Sequence, residues 1–140
     1  MKQLIPRRTK FKKYHKGVIY NKTFKRINLN VNSCTYLSLK LLNGGRITSK
    51  QIESVRSTIS KIIKKIGCLQ IYAFALLPIS KKPVETRMGK GKGSVDHWVF
   101  CAKPGFIFCR IYTKNFQIAI NALKIAKGKL PLLTKITINK

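Results

Sequence analysis

Residues 87–94 read Arg-Met-Gly-Lys-Gly-Lys-Gly-Ser, with Gly89, Gly91 and Gly93 alternating with Lys90 and Lys92. Glycine reaches positive φ at little steric cost and lets a backbone come very close to a ligand. Lysine adds a compact cationic point charge on a flexible stem. The alternation predicts a loop whose amides and ammonium groups press on the same anion. Arg87 and Met88 lead into the glycines, and Lys82 stands at the root of the loop.

A nucleotide cradle is the first chemistry to weigh. The phosphate loop of nucleotide hydrolases needs Gly-x4-Gly-Lys-[Ser/Thr] between a strand and a helix. Here Lys90 and Lys92 are each followed by glycine, and strand-forming residues come next. The dinucleotide fingerprint fails too, because no helix N-terminus follows to hold a pyrophosphate. The acidic residues are Glu53, Glu85 and Asp96, too isolated for metal-assisted or general acid–base phosphoryl transfer. Cys34, Cys68, Cys101 and Cys109 form no C-x-x-C pair, and His15 and His97 stand far apart, so no metal site is expected. Cys68, Cys101 and Cys109 lie in apolar runs and read as small buried hydrophobes. The expectation is a protein that is not an enzyme and has no cofactor, no metal and no small-molecule substrate.

Charge names the partner class. Thirty Lys and Arg face three acidic residues over 140 positions, a formal net charge of +27. Such a surface repels itself unless counter-charge arrives from outside. A polyanion is implied, and nucleic acid is favoured over an anionic membrane. Residues 1–26 hold ten basic residues and no acidic one, and 81–92 hold five more. Lysines outnumber arginines 23 to 7, which suits phosphate neutralisation better than bidentate base reading. In the first segment Arg7, Arg8, Lys10, Lys12, Lys13, His15 and Lys16 project among Phe11 and Tyr14. Aromatic rings among cations can stack on splayed bases; they can equally staple the arm to the body. The N-terminus has no apolar signal region. The longest uncharged stretch, 66–80, is too short for a membrane span.

The elements that must carry these residues follow from periodicity. A hydrophobic content of 44% in 140 residues allows one domain with a real core. Residues 1–17 read as an extended basic arm, and 18–140 as a globular body with the loop at 81–94. Residues 18–42 look strand-forming, with Leu37, Leu39 and Leu41 on one face. Thr48 and Gln51 form a capping box that opens a helix over 49–66, with Ile52, Val55, Ile59, Ile62, Ile63 and Ile66 inward and Gly67 as C-cap. Residues 69–77 read as a buried strand ended by Pro78. Residues 95–103 and 106–112 read as a β-hairpin turned by Pro104-Gly105. A second helix covers 115–127, capped by Asn115 or Thr113, and 132–139 suit a last strand. The fold class is α+β, two helices packed on a mostly antiparallel sheet.

Three motifs in order resemble a known family. Pro6-Arg-Arg-Thr-Lys-Phe-Lys-Lys-Tyr-His-Lys-Gly17, Gly45-Arg-Ile-Thr-Ser-Lys-Gln-Ile-Glu53 and Lys82-Pro-Val-Glu-Thr-Arg-Met-Gly-Lys-Gly-Lys-Gly93 are similar to the signatures of bacterial-type ribosomal protein L sixteen of the large subunit, and Lys129-Leu-Pro131 also fits. The resemblance implies a structural role on large-subunit rRNA, beside neighbouring ribosomal proteins, the A-site tRNA and the peptidyl transferase region. It adds Arg46 to the rRNA-contacting residues and aligns Arg87 with an arginine that some bacterial members hydroxylate. The run Val18-Ile19-Tyr20-Asn21-Lys22 departs from the Gly- and Arg-rich pattern of the family. A free nucleic-acid chaperone or DNA-compacting protein is the competing reading. Abundant Lys, Ile and Asn fit an AT-rich genome. With a start that matches the family's own, they favour a mitochondrially encoded protein in the mitochondrial ribosome over a plastid or bacterial one.

Overall fold

In a computed structural model that describes residues 6–19 and 35–139, the Leu37-Leu39-Leu41 alternation becomes strand β1 (Tyr36–Leu41), with all three leucines fully buried. After the Asn43-Gly44 turn, β2 (Gly45–Thr48) leads into α1 (Ser49–Ile63). Both halves of the capping box are made: the Gln51 amide donates to Thr48 Oγ1, and the Thr48 amide donates to Gln51 Oε1. Ile52, Val55, Ile59 and Ile63 are buried, while Lys50, Arg56, Lys61, Lys64 and Lys65 are exposed. The helix ends earlier than the periodicity suggests. Lys64 is its C-cap, Ile66 is exposed, and Gly67 opens the next strand instead of capping the helix.

The remaining elements are β3 (Gly67–Ile71), β4 (Leu77–Lys81), β5 (Ser94–Ala102), β6 (Ile107–Thr113), α2 (Phe116–Lys127) and β7 (Thr134–Asn139). They form two antiparallel sheets, one ordered β3-β6-β1-β7 and the other β2-β5-β4. The helices pack on each other, α1 against β2, β3 and β5 and α2 against β1, β6 and β7. One cluster of buried residues runs from Leu37, Leu39, Leu41 and Phe108 of the larger sheet through both helices to Ile47 and Ala102 of the smaller. Each such fully buried large apolar side chain contributes about 1.5–3 kcal/mol.

Four expectations are corrected. β5 and β6 are not a hairpin, because β5 already has β2 and β4 as its two neighbours. Pro104-Gly105 instead passes the chain between sheets: the Gly105 amide donates to Leu41 O (2.7 Å), and the Leu41 amide donates to Phe106 O (2.8 Å). Residues 69–77 are not one buried strand. β3 and β4 are separate edge strands joined by a segment in which Tyr72, Phe74 and Leu76 are exposed and Ala73 and Ala75 buried. Pro78 lies inside β4, where an edge strand tolerates a residue with no N–H. Cys68 and Cys101 are exposed on outward strand positions, and only Cys109 of the described cysteines is buried. The strand reading of 18–42 falls partly outside the described residues, as do the first five residues of the arm.

Candidate nucleic-acid interface

The true hairpin is β4–β5, and the glycine loop is its tip. The strands pair from Leu77 with Val99 to Lys81 with Ser94. Beyond them Gly89, Lys90 and Gly91 all take positive φ, at 95°, 54° and 82°. Such a run is ordinary for glycine and uncommon for lysine, and it curls the backbone tightly at the tip. Gly93 serves a different purpose: a Cβ there would lie 2.5 Å from the Lys81 carbonyl oxygen. Its lack of a side chain lets the two legs of the loop close up. Lys82 Nζ braces the loop from inside by donating to Gly89 O (2.5 Å).

The arm is held against this loop by a reciprocal clasp. Lys13 Nζ donates to Lys92 O (2.8 Å), and Lys92 Nζ donates to Tyr14 O (2.5 Å). At the end of the arm, Arg46 on β2 donates to Lys16 O (2.5 Å) and Gly17 O (3.0 Å), where Gly17 turns with φ 64°. Phe11 and Tyr14 meet edge to face at 5.9 Å between centroids, and Lys10 Nζ lies 5.5 Å from the Phe11 centroid. Tyr14 and Lys16 also line a small cavity with Pro78, Ile79, Ser80 and Lys92. The arm thus docks on β4 and the loop, two segments that sequence spacing leaves unconnected.

The expected contact residues divide into two groups. Lys13, Arg46, Lys82 and Lys92 spend at least one donor on a backbone carbonyl, so they brace the arm and loop. Arg7, Arg8, Lys10, Lys12, His15, Lys16, Arg87 and Lys90 stand exposed around that frame, and Met88 is 96% exposed at the tip. Among the described residues, ion pairs are confined to Glu53–Arg56 and Asp96–His97. The Arg56 hydrogen bond lowers the Glu53 pKa, and the His97 hydrogen bond lowers that of Asp96. Neither carboxylate is ion-paired with an arm or loop cation, although the charge of Lys81 at the root of the loop also lowers the Asp96 pKa. Among the described residues, no group of three His, Cys, Asp or Glu is placed to hold a metal, and no helix is long and apolar enough to cross a membrane.

The structure thus brings the first and third sequence motifs together, as a basic arm docked on a glycine-tipped loop braced by lysines. Residues 6–137 match the family described as Ribosomal protein L16p/L10e. The chain belongs to that family. It is 44% identical over 133 residues to the large ribosomal subunit protein uL16 of Paracoccus denitrificans, covering 95% of each chain. It is 46% identical over 133 residues to uL16c of Euglena longa, covering 95% of this chain and 96% of that one. Against uL16 of Blochmanniella pennsylvanica the identity is 45% over 131 residues, covering 94% and 95%. The family match takes in all three motifs, from Pro6 through Gly93, and the closing Lys129-Leu-Pro131.

Proposed function

We propose that this chain is a structural constituent of the large ribosomal subunit, holding large-subunit rRNA with its basic arm and glycine loop. The observation that carries the reading is the Lys13–Lys92 clasp. It joins two cationic segments into one surface without using a carboxylate. Such a surface repels itself, and a partner that supplies negative charge relieves that repulsion. Arg7, Arg8, Lys10, Lys12, Lys16, Arg87 and Lys90 neutralise phosphates. His15 adds a ring-nitrogen contact, and Gly89, Gly91 and Gly93 let RNA strands approach the backbone. Membership of a ribosomal family, with relatives named as large-subunit proteins, supports this reading over a free nucleic-acid chaperone.

The exposed tip at Arg87, Met88 and Lys90 is the part we assign to the neighbourhood of the A-site tRNA and the peptidyl transferase region. Neighbouring ribosomal proteins complete the set of partners. The chain has no catalytic role in this reading. The lysine- and isoleucine-rich composition supports the mitochondrial ribosome as its seat.

Binding to a large-subunit rRNA fragment across a salt series tests the core of the proposal. Arg87→Gln with Lys90→Gln should flatten the log–log slope by about 0.7–0.9 per lost phosphate contact. An unchanged slope removes these residues from the interface. Loss of the chain from purified large subunits after a moderate salt wash overturns the ribosomal reading itself. A photoreactive amino acid incorporated in place of Met88 should cross-link to tRNA or its surrounding rRNA in translating ribosomes; cross-links confined to distant RNA refute the placement of the tip.

A further inference from the structure

The outward face of the four-stranded sheet carries chemistry that the arm and loop do not use. Register places Tyr36, Ser38 and Lys40 of β1 beside Tyr112 and Arg110 of β6, with Cys68 and Gln70 of β3 on one side and Lys135 and Thr137 of β7 on the other. The Arg110 guanidinium lies between two rings, 4.7 Å from the Tyr36 centroid and 5.2 Å from the Tyr72 centroid. Tyr36 and Tyr112 are directly opposite in register, with centroids 5.7 Å apart and planes tilted by 48°. Both Tyr72 Oη (2.8 Å) and Tyr112 Oη (3.4 Å) donate to Gln70 Oε1, which fixes the rings from their far ends.

Cross-strand pairing alone explains a Tyr36–Tyr112 contact, because aromatic pairs stabilise sheets. It does not explain the charges. Lys40 and Lys135 are directly opposite on neighbouring strands, an arrangement that is unfavourable without an anion. The acidic residues of the chain, Glu53, Glu85 and Asp96, lie on α1, in the glycine loop and on β5, so this sheet has none. The Nε of Arg110 is buried with no hydrogen-bond partner. The face therefore offers tethered rings, an arginine seated among them, two lysines opposite each other and no acidic side chain. Flat rings of fixed orientation are suited to bases, and flanking lysines to the phosphates between them.

We propose that this face is a second RNA-binding site, taking unpaired nucleotides by stacking on Tyr36, Tyr72 and Tyr112, with Lys40, Arg110 and Lys135 holding the backbone. It rests on the RNA-binding reading above but uses the other sheet and a different chemistry.

The experiment compares the full-length chain with a Tyr36→Leu/Tyr112→Leu variant on a short single-stranded oligouridylate across a salt series. Affinity should fall at least about fivefold, the lower end for one lost base stack, while the salt slope stays the same. The Tyr36→Phe variant keeps the ring and both tethers to Gln70 and should bind like the parent. Ultraviolet cross-linking of large subunits gives a readout that needs no variant, with nucleotide adducts expected on peptides containing Tyr36, Tyr72 or Tyr112. Unchanged affinity in the leucine variant, or adducts confined to the arm and loop, overturns the second site and leaves the first intact. Cross-links from these tyrosines to a protein overturn it as well. Absence of any RNA binding by the parent chain removes both readings together.

Discussion

Lys13 and Lys92 stand 79 positions apart, yet the ammonium of the first donates to the carbonyl of the second, whose own ammonium returns a hydrogen bond to Tyr14 O. Both bonds lie at the surface, where each contributes at most about 0.5–1.5 kcal/mol. Their consequence is local order rather than global stability. Lys92→Met should leave the melting transition within about 0.5 kcal/mol of the parent, as surface changes usually do. Amide exchange over residues 10–16 should quicken, as should tryptic cleavage after Lys12 and Lys13. Equal arm protection in parent and variant would show that the clasp does not hold the arm.

The glycines of the loop differ in what they do, and single alanine substitutions separate them. At Gly91, with φ 82°, an added Cβ meets nothing within 4 Å. The cost of Gly91→Ala is left-handed backbone strain of about 1–2 kcal/mol, confined to the tip. At Gly93 the Cβ would lie 2.5 Å from Lys81 O and 2.7 Å from the Lys81 carbonyl carbon, both backbone atoms. Gly93→Ala must therefore spread the β4–β5 pairing at Lys81 and Ser94, at a cost of about 1–3 kcal/mol. Thermal melts should show the larger loss for Gly93→Ala. A larger loss for Gly91→Ala would contradict the assignment.

The helix starts make a paired prediction. Thr48 caps α1 through its side chain, whereas Asn115, at the N-cap of α2, makes no side-chain cap bond. At that second start Thr113 Oγ1 instead accepts the Asn115 amide at 3.1 Å. Thr48→Ala should cost about 1 kcal/mol in denaturant unfolding. Asn115→Ala should cost less than about 0.5 kcal/mol, the range of surface substitutions that break no cap. Equal costs would mean that the observed cap bond does not decide the stability of α1.

These contrasts also mark what was legible in the chain. Elements whose signal is local were readable: the alternation at Leu37, Leu39 and Leu41, the Thr48–Gln51 box, and the Ala119, Leu123 and Ala126 face of α2. Pro104-Gly105 announced a reversal but not its destination. Whether β6 returns beside β5 or crosses to β1 depends on which sheet edge is already occupied. Cys68 and Cys101 misled because strands at a sheet surface carry apolar residues on both faces. The tight backbone of the loop was visible in its glycines. Its docking to the arm, and the seating of Arg110 between Tyr36 and Tyr72, are long-range relations fixed only by register.

Cysteine reactivity tests that register directly. Cys109 is fully buried opposite Leu39 in the centre of the larger sheet, and desolvation pushes its thiol from 9.0 up to about 12. Only the thiolate reacts with iodoacetamide, so below pH 9 the folded chain should be alkylated at exposed Cys68 and Cys101 and spared at Cys109. The sign of the linkage follows from the same shift. The unfolded thiol ionises near 9.0 and the folded one near 12, so the neutral buried form favours folding fully below the first value. That advantage is lost as pH rises through the interval, at a limiting slope of about 1.4 kcal/mol per pH unit. Cys109→Ala should remove this component, so the parent should lose stability more steeply than the variant above pH 9. Rapid alkylation of Cys109 in the folded chain, or parallel pH–stability curves for the two, would place β6 in another register.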